Sequence, residues 1–189
     1  MLNSEELINK VKSYNKFLNP EKLNKAFHFA IKAHKNQKRD SGDPYSNHPI
    51  AVASILTELK LDSATIATGL LHDTIEDTHA TYETIKNEFG QEVADLVDGV
   101  TKISVFENQA TSTSKAENFR KLILATSKDI RVLLVKIADR LHNMRTIDAI
   151  LKFEKKERIA KETMEIYAPL ADRMGMHSIR DELEDLSFK

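Results

Sequence analysis

Apolar residues recur at spacings of three and four along most of this 189-residue chain, and little interrupts them. Only five glycines and four prolines are present, which leaves few of the turn residues that a strand-rich fold needs. The pattern therefore predicts an all-α fold. Because 189 residues suit one domain with a sizeable core, and no repeat or linker divides the pattern, we expect a single domain over residues 1–189.

Residues suited to helix ends and loops divide the apolar pattern into individual predicted helices. Pro20 is suited to the first position of a helix, and Thr81 and Asp129 are suited to N-caps. The stretch Lys38–Asn47, with Gly42 and Pro44, is predicted to be a loop. The polar segment Gln109–Ser114 is either a lid or a solvated connector. Helices are expected over Ser4–Tyr14, Pro20–Asn36, His48–Lys60, Ser63–Ile75, Tyr82–Glu88, Gln91–Lys102, Lys115–Ser127, Asp129–Asp148 and Lys155–Tyr167, and after Pro169.

Composition narrows the kind of protein. Without cysteine, the chain has neither disulfides nor thiolate metal ligands. The chain contains no run of 18 apolar residues, so we expect no membrane span. Its first residues lack the basic and then apolar order of a signal peptide. A formal net charge of −1 gives no general attraction to nucleic acid. We expect a cytoplasmic enzyme that acts on a small molecule.

A histidine and an aspartate stand side by side at the end of an apolar helical run, as His72 and Asp73. Residues four apart share a helix face, so Glu76 and Asp77 would lie one turn below them. Imidazole and carboxylate suit a divalent transition metal, and the lower carboxylates could handle the proton of a water molecule. A His-Asp pair alone is also typical of a helix cap or a surface pair. Whether this pair binds a metal therefore depends on what the other segments of the chain supply.

Two distant segments supply further candidate ligands. One histidine precedes Pro49 at the start of an apolar run, and one aspartate interrupts the buried-looking stretch 132–146. A buried carboxylate needs a partner or a metal. With the His-Asp pair, these residues form a set that suits Mn²⁺, Fe²⁺ or Zn²⁺: His48, His72, Asp73 and Asp139. Asn143 and Thr146 extend the face of the aspartate and could bind a ligand beside the metal.

These segments together resemble the hydrolase half of the RelA/SpoT homologue family, the bacterial alarmone enzymes. That hydrolase belongs to the HD superfamily of metal-dependent phosphohydrolases. The similarity runs from about Lys22 to Leu186, and four motifs agree in order and spacing. They are Lys38–Tyr45, His48-Pro49, His72-Asp73 with Glu76-Asp77, and Ala138–Thr146.

The resemblance implies a fold, a reaction and roles for particular residues. The fold would be an HD helical bundle with the metal site in its core. The reaction would remove pyrophosphate from the ribose 3′ position of guanosine tetra- or pentaphosphate, leaving GDP or GTP, with Mn²⁺ as cofactor. His48, His72, Asp73 and Asp139 would hold the metal and Glu76 and Asp77 would act on water. Substrate contacts would come from Arg39, Ser41, Asn143 and Thr146.

The chain also departs from its relatives. Many of them carry a basic or small polar residue where Asp40 stands, and a carboxylate beside a polyanion is unfavourable unless it points away. A second departure is Ala171-Asp172-Arg173, where many relatives have Ala-His-Arg. It lies outside the proposed site. About residues 168–189 resemble the helical link to a synthetase domain, and nothing in the sequence resembles that domain, so we expect degradation of alarmone rather than its synthesis.

Some residues and functions keep alternative interpretations. Most other histidines are expected to be packing or surface groups, and His142 a neighbour of the metal ligands or a helix-packing residue. Lys155 and Lys156 lie in a charge run typical of a solvated helix face, although either could reach a phosphate. The alternative functions are another HD nucleotide phosphohydrolase, including an NADPH phosphatase, and a non-enzymatic domain that senses alarmone.

Overall fold

The computed structural model describes residues 1–109, 124 and 128–189, and these residues form helices joined by short loops, without a β-sheet. The all-α prediction is confirmed. The helices are α1 (Ser4–Lys12), α2 (Pro20–Ala33), α3 (Asn47–Glu58), α4 (Ser63–Leu71), α5 (Thr74–Asp77), α6 (Tyr82–Phe89), α7 (Gln91–Gln109), α8 (Arg131–Arg145), α9 (Phe153–Glu162), α10 (Ala168–Arg173) and α11 (His177–Ser187). A 3₁₀ turn (Ile147–Ala149) follows α8, and a π-helical turn (Thr163–Tyr167) joins α9 to α10.

Side-chain caps fix several helix starts. Asn19 accepts a hydrogen bond from the Lys22 N–H at 3.3 Å, and Pro20 occupies the first helical position as predicted. Thr81 caps α6 as predicted, because its hydroxyl accepts the Thr84 N–H at 3.2 Å.

Helix α4 lies at the centre of the bundle and packs against α2, α3, α7 and α8. Its sequence is small or apolar almost all round, and every residue from Thr65 to Leu71 is buried. At Gly69 the helix passes so close to α3 that a Cβ would lie 2.6 Å from Leu56 Cδ1 and 3.5 Å from Ala53 Cα. The close approach of α3 and α4 places the N-terminus of one helix beside the C-terminus of the other.

The predicted helix Ser63–Ile75 is wrong in one respect, since it is interrupted after Leu71. The ring of His72 hydrogen-bonds the Gly69 carbonyl at 2.6 Å, and the Thr74 hydroxyl donates to the Leu71 carbonyl at 2.7 Å. Such bonds offer the backbone carbonyls an alternative to helical partners. The short helix α5 then restarts at Thr74.

Other boundaries differ from the predicted ones. Helices α1 and α2 end earlier than expected, and α7 continues seven residues beyond Lys102. The helix predicted over Asp129–Asp148 spans Arg131–Arg145; Asp129 precedes it and accepts the Arg131 N–H at 3.0 Å without being its N-cap. The predicted helix over 115–127, Leu124 apart, and the polar segment 110–114 lie outside the described residues. Among the helices described, none combines the length and apolar character needed to cross a bilayer.

Candidate metal centre and nucleotide pocket

The four predicted metal ligands come from three places in the fold and meet in its interior. His48 lies in the first turn of α3, His72 and Asp73 lie in the break between α4 and α5, and Asp139 lies in the middle of α8. None of the four is more than 9% exposed. Because α3, α4 and α8 pack against one another, residues up to 91 positions apart come into contact.

The distances are those of a shared site. The ligand atoms of His48, His72 and Asp139 all lie within 4.8 Å of one another. Asp139 Oδ1 is 2.7 Å from His48 Nε2 and 3.4 Å from His72 Nε2. Asp73 Oδ2 is 3.1 Å from His72 Nε2 and 3.7 Å from His48 Nε2. The structure thus brings all four predicted residues together, with Asp73 beside the tighter group of three.

His72 provides the clearest test of whether these residues fit a metal. Its Nδ1 faces the Gly69 carbonyl at 2.6 Å and must donate to it, so a neutral ring carries its lone pair on Nε2. That Nε2 is buried and has no hydrogen-bond partner in the described part of the chain. A buried nitrogen without a partner, facing two carboxylates and another imidazole, is what a metal ligand requires before the metal binds.

His142 orients the other imidazole. Its Nδ1 lies 2.7 Å from His48 Nδ1, so one nitrogen must donate and the other accept. Burial, together with the charges of His48 and Arg39, lowers the pKa of His142 to about 3 and keeps its ring neutral. If the neutral His142 accepts from His48 Nδ1–H, the other nitrogen of His48, Nε2, is the one that faces Asp139 Oδ1 at 2.7 Å and would be available to a metal. His142 therefore neighbours the ligand set, as expected, without joining it.

Lys136 holds the second oxygen of Asp139, a role that sequence reasoning missed. Lys136 Nζ lies 2.9 Å from Asp139 Oδ2 and 2.9 Å from Glu107 Oε2, and the lysine is only 4% exposed. Burial would raise the pKa of Asp139, but Lys136 and His48 outweigh burial and hold it well below the usual range. The available signal was a lysine inside the apolar run 132–138, one helical turn before Asp139.

Tyr45 is a second residue that sequence reasoning missed. Its hydroxyl donates to Asp73 Oδ2 at 2.7 Å, with Asp77 Oδ2 as a weaker partner at 3.4 Å. Burial and the Asp73 charge raise the pKa of Tyr45 well above its usual value, so the phenol stays protonated and remains a donor. Its place inside the Lys38–Tyr45 motif was the available signal.

The predicted catalytic carboxylates, Glu76 and Asp77, follow on α5 and are less buried than the four predicted metal ligands. Burial, then Asp77 and Asp73, raises the pKa of Glu76; burial, then Asp73, raises that of Asp77. Glu76 Oε1 accepts a hydrogen bond of 3.3 Å from Asn108 on α7. Both carboxylates border the same pocket as Asp73 and Asp139.

That pocket has a volume of about 500 Å³ and extends from the metal ligands to α9. Its volume is typical of sites for small molecules and cofactors. Carboxylates and imidazole line one end. Six cationic side chains also line the pocket, interspersed with further carboxylates and neutral residues; they are Lys38, Arg39, Lys136, Arg140, Lys155 and Arg158.

Three of the four predicted substrate residues form one hydrogen-bonded group in this pocket. The Arg39 guanidinium donates to Asn143 Oδ1 at 3.0 Å and to Thr146 Oγ1 at 3.2 Å. Ser41 also lines the pocket, but its hydroxyl donates to Asp43 at 2.8 Å. Asp40, the residue at which this chain differs from many relatives, faces Lys155 across the pocket, with 2.9 Å between Asp40 Oδ2 and Lys155 Nζ.

Comparison with known proteins agrees with this geometry. The sequence model of the HD domain family matches residues 26–177. The chain is 53% identical over 189 residues to the GTP pyrophosphokinase rsh of Brucella melitensis, covering all of this chain and 25% of that protein. It is 56% identical over 165 residues to the probable guanosine-3′,5′-bis(diphosphate) 3′-pyrophosphohydrolase of Synechocystis, covering 87% of this chain and 22% of that protein.

Two further similarities extend the comparison. The bifunctional (p)ppGpp synthase/hydrolase SpoT of Escherichia coli is 52% identical over 169 residues, which is 89% of this chain and 24% of that protein. The chain thus spans about a quarter of the length of the curated relatives it matches. A solved structure of a metazoan SpoT orthologue that hydrolyses ppGpp matches with a TM-score of 0.68 and 26% identity, covering 87% of this chain and 93% of the other.

Proposed function

This chain belongs to the HD domain family, as an HD domain of the RelA/SpoT type, and on that premise we propose that it hydrolyses guanosine tetra- and pentaphosphate. The reaction removes pyrophosphate from the ribose 3′ position and leaves GDP or GTP. The observation that carries the proposal is the buried group of His48, His72 and Asp139, with Asp73 beside it, at one end of a pocket of about 500 Å³ that six cationic side chains help to line. The ppGpp-hydrolysing activity of the metazoan relative supports it.

We assign the metal to His48, His72, Asp73 and Asp139, and take Mn²⁺ as the ion in line with the family resemblance. When bound, a divalent ion would stabilise developing phosphate charge and lower the pKa of water. The orphaned Nε2 of His72 supports the assignment, as does the direction of His48 Nε2, which faces Asp139 Oδ1 at 2.7 Å within the same group. Tyr45 and Lys136 would fix the orientation of the two aspartates, since each occupies one carboxylate oxygen.

Glu76 and Asp77 would orient the attacking water and take its proton. Their raised pKa values bring them closer to neutral pH, which improves a general base. The attack would break the bond between the ribose 3′ oxygen and phosphorus, and the 3′ oxygen would leave with a proton. The pair is proposed to act as a unit, because Asp77 raises the pKa of Glu76 and the charge of Asp73 raises the pKa of both.

Arg39, Asn143 and Thr146 would hold the nucleoside, with Ser41 at the edge. A guanidinium can stack on a base or pair with phosphate in a fork, and its present hydrogen bonds keep it extended across the pocket. We place this reaction in the cytoplasm and assign it a free nucleotide as substrate, rather than a nucleic acid or a membrane component.

The test is to incubate the Mn²⁺-reconstituted protein with guanosine tetraphosphate and identify the products by ion-exchange chromatography and ³¹P NMR. GDP and pyrophosphate in equal amounts are expected, and Asp139→Ala is the matched inactive control. Unchanged tetraphosphate with metal content verified would contradict the proposal. A parallel panel of purine nucleotides and NADPH distinguishes the other HD phosphohydrolase activities, and tight binding without turnover would indicate a sensing domain.

A further inference from the structure

The two proposed catalytic carboxylates lie on a helix that is too short to hold its own position. Helix α5 has four residues, Thr74–Asp77, and its turn is closed by the Thr78 N–H, which donates to the Thr74 carbonyl at 3.1 Å. A single turn is unstable in isolation, because it fixes several backbone angles for very few hydrogen bonds. The orientation of Glu76 and Asp77 therefore depends on contacts from elsewhere in the fold.

The C-terminal end of α5 is held by a glutamine that follows α2. Gln37 Nε2 donates to the Asp77 carbonyl at 2.6 Å, and such a helix-end carbonyl has no partner within its own helix. This bond identifies which atom of the Gln37 amide is nitrogen, so Gln37 Oε1 is the oxygen that accepts from His34 Nδ1–H at 2.9 Å. His34 therefore fixes the amide that caps α5.

The same histidine supports the residue that contacts the Asp77 side chain. The His34 ring packs on the ring of Tyr45, with 4.7 Å between centroids and 37° between planes, and the Tyr45 hydroxyl lies 3.4 Å from Asp77 Oδ2. Burial and the Asp73 charge raise the pKa of Asp77, whereas His34 and then the Tyr45 hydroxyl lower it. His34 thus reaches Asp77 by two routes, through Gln37 to its main chain and through Tyr45 to its side chain.

His34 itself has little freedom to move. It follows the last residue of α2, its backbone N–H donates to the Ala30 carbonyl at 3.2 Å, and the residue is only 2% exposed. Its Nε2 is buried and has no hydrogen-bond partner among the described residues. A buried polar atom without a partner is unfavourable for folding, so an apolar ring would fill the same space at lower free energy. This indicates that the histidine is used for its Nδ1–H rather than to fill space.

We propose that His34 is a positioning residue for the hydrolysis, and that it acts through Gln37 and Tyr45 to hold α5 and its two carboxylates beside the metal ligands. The reaction named here rests on the proposed function, whereas the anchoring of α5 rests on the contacts alone. His34 touches neither the substrate nor the attacking water in this role. It sets the fraction of time that Glu76 and Asp77 spend in the orientation that can accept a proton, so it affects kcat rather than substrate binding.

The first test measures α5 itself, by amide hydrogen exchange of the full chain followed by NMR, and needs no substrate. Gln37→Met should speed exchange of the Thr78 amide by about three- to tenfold, as loss of one hydrogen bond predicts, and leave α4 and α6 unchanged. His34→Phe should act in the same direction. The double variant should exchange no faster than Gln37→Met, because His34 acts on this end of the turn through Gln37. His28→Phe is the matched control, since His28 is an exposed histidine on α2 whose ring packs against Phe27 at 5.7 Å.

The second test is kinetic and uses guanosine tetraphosphate. His34→Phe should lower kcat by about three- to tenfold and leave KM and metal content nearly unchanged. His34→Asn keeps an N–H donor near the position of Nδ1, so it should restore the protection of the Thr78 amide and part of kcat, although it lacks the ring that packs on Tyr45.

The outcomes separate this proposal from the proposed function. Unchanged Thr78 exchange in Gln37→Met and His34→Phe, additive effects in the double variant, equal changes in His28→Phe, or equal acceleration throughout α4 and α6 would each overturn the anchoring role. A wild-type kcat in His34→Phe would overturn the role in the reaction. If α5 loosens as expected while the wild-type protein does not hydrolyse guanosine tetraphosphate, the anchoring stands and the proposed reaction fails.

Discussion

His72 shows at the level of one residue how the chain prepares for a cation. Burial opposes a positive charge on the ring, but the carboxylates of Asp73 and Asp139 outweigh burial and raise the pKa of His72. The two carboxylates therefore favour positive charge beside this ring, which the proposed metal would supply. Since Nδ1–H is held by the Gly69 carbonyl, Nε2 is the atom of His72 that would bind the proposed metal.

The first prediction separates metal binding from proton transfer. Asp139→Ala should lose both bound metal and activity, because it removes a proposed ligand and one of the two carboxylates that pair with the buried Lys136. Glu76→Gln should keep its metal and lose activity by about 10²–10⁴-fold, because an amide cannot accept a proton from water. Metal content is measured by atomic emission and turnover by pyrophosphate release. Full activity in both Glu76→Gln and Asp77→Asn, with metal retained, would refute the role of this pair.

The second prediction concerns pH. Because burial and neighbouring carboxylates raise the pKa of Glu76 above its ordinary value of 4.5, its basic form is lost at a higher pH than for a solvated glutamate. The value of kcat/KM should therefore fall as the pH decreases through this raised pKa. Asp77→Asn removes the neighbouring charge and should move the acid limb to lower pH, whatever it does to the maximum rate. Circular dichroism should first show that Asp77→Asn is folded. If the acid limb of its kcat/KM profile then lies at the same pH as in the wild-type protein, Glu76 is not the base.

The candidate ligands could be predicted from sequence because their residue types are unusual where they occur. His72, Asp73 and Asp139 interrupt apolar helical runs, where a charge needs a partner. Tyr45 and Lys136 could not be assigned in the same way. A tyrosine or lysine is ordinary in sequence, and its role depends on which oxygen of an aspartate it reaches in the folded chain.

At the level of secondary-structure elements, the loop of residues 38–46 is positioned by a few directed contacts. Tyr45 N–H donates to the Gln37 carbonyl at 2.9 Å, and a single bridge pairs Lys38 with Pro44. The Arg39 side chain then reaches α8 through Asn143 and Thr146. The loop and the C-terminal half of α8 thus form one wall of the pocket.

The third prediction tests this wall. Arg39→Ala should raise KM for guanosine tetraphosphate and leave the metal content unchanged, because Arg39 contacts none of the metal ligands directly in this structure. Arg39→Lys should restore little, since an ammonium can neither stack on a base as a plane nor pair with a phosphate in a fork. Steady-state kinetics with metal analysis provide the measurement. An unchanged KM in Arg39→Ala would show that this wall does not hold the substrate.

The fourth prediction concerns the crossing of α7 and α8. A Cβ at Gly99 would lie 2.9 Å from Val132 Cγ2 and 3.3 Å from its Cγ1. Overpacking costs about 1–3 kcal/mol, and alanine recovers up to about 1 kcal/mol of helix propensity. Since Val132 is branched and buried, it cannot move both methyl groups away, and Gly99→Ala should destabilise the fold by about 1 kcal/mol in urea unfolding. In a Val132→Ala background the same change should become neutral or stabilising; equal effects in both backgrounds would refute the steric explanation.

Helix positions could be predicted better than helix ends. Apolar periodicity identifies the segments that bury one helix face. Caps such as Asn19 and Thr81 act through local hydrogen bonds, so the helix starts that they fix can be predicted from the sequence. The break after Leu71 depends on His72 and Thr74 turning back to backbone carbonyls, which the apolar pattern does not reveal. The longer α7 likewise depends on tertiary contacts, since Glu107 pairs with the buried Lys136 on α8.

For the molecule as a whole, the four proposed metal ligands come from the helices that form its centre. His48 comes from α3, Asp139 from α8, and the His-Asp pair from the break that follows α4. Two buried aspartates and two histidines are unfavourable at one point unless a cation compensates them. Metal binding should therefore stabilise the folded chain and not only activate it, because the unfolded chain does not hold these side chains together.

The last prediction follows from this linkage. A ligand that binds only the folded state at 100 times its Kd stabilises that state by about 2.7 kcal/mol, which is roughly 5–10 °C in Tm for a domain of this size. Saturating Mn²⁺ should raise the Tm of the wild-type protein by about this amount, and EDTA should reverse the change. Glu76→Gln should show the same rise, since Glu76 lies outside the ligand set, whereas Asp139→Ala should show none. Differential scanning calorimetry with metal analysis makes the measurement. An equal rise in wild-type protein and Asp139→Ala would mean that the ion binds elsewhere, and the four-residue assignment would be wrong.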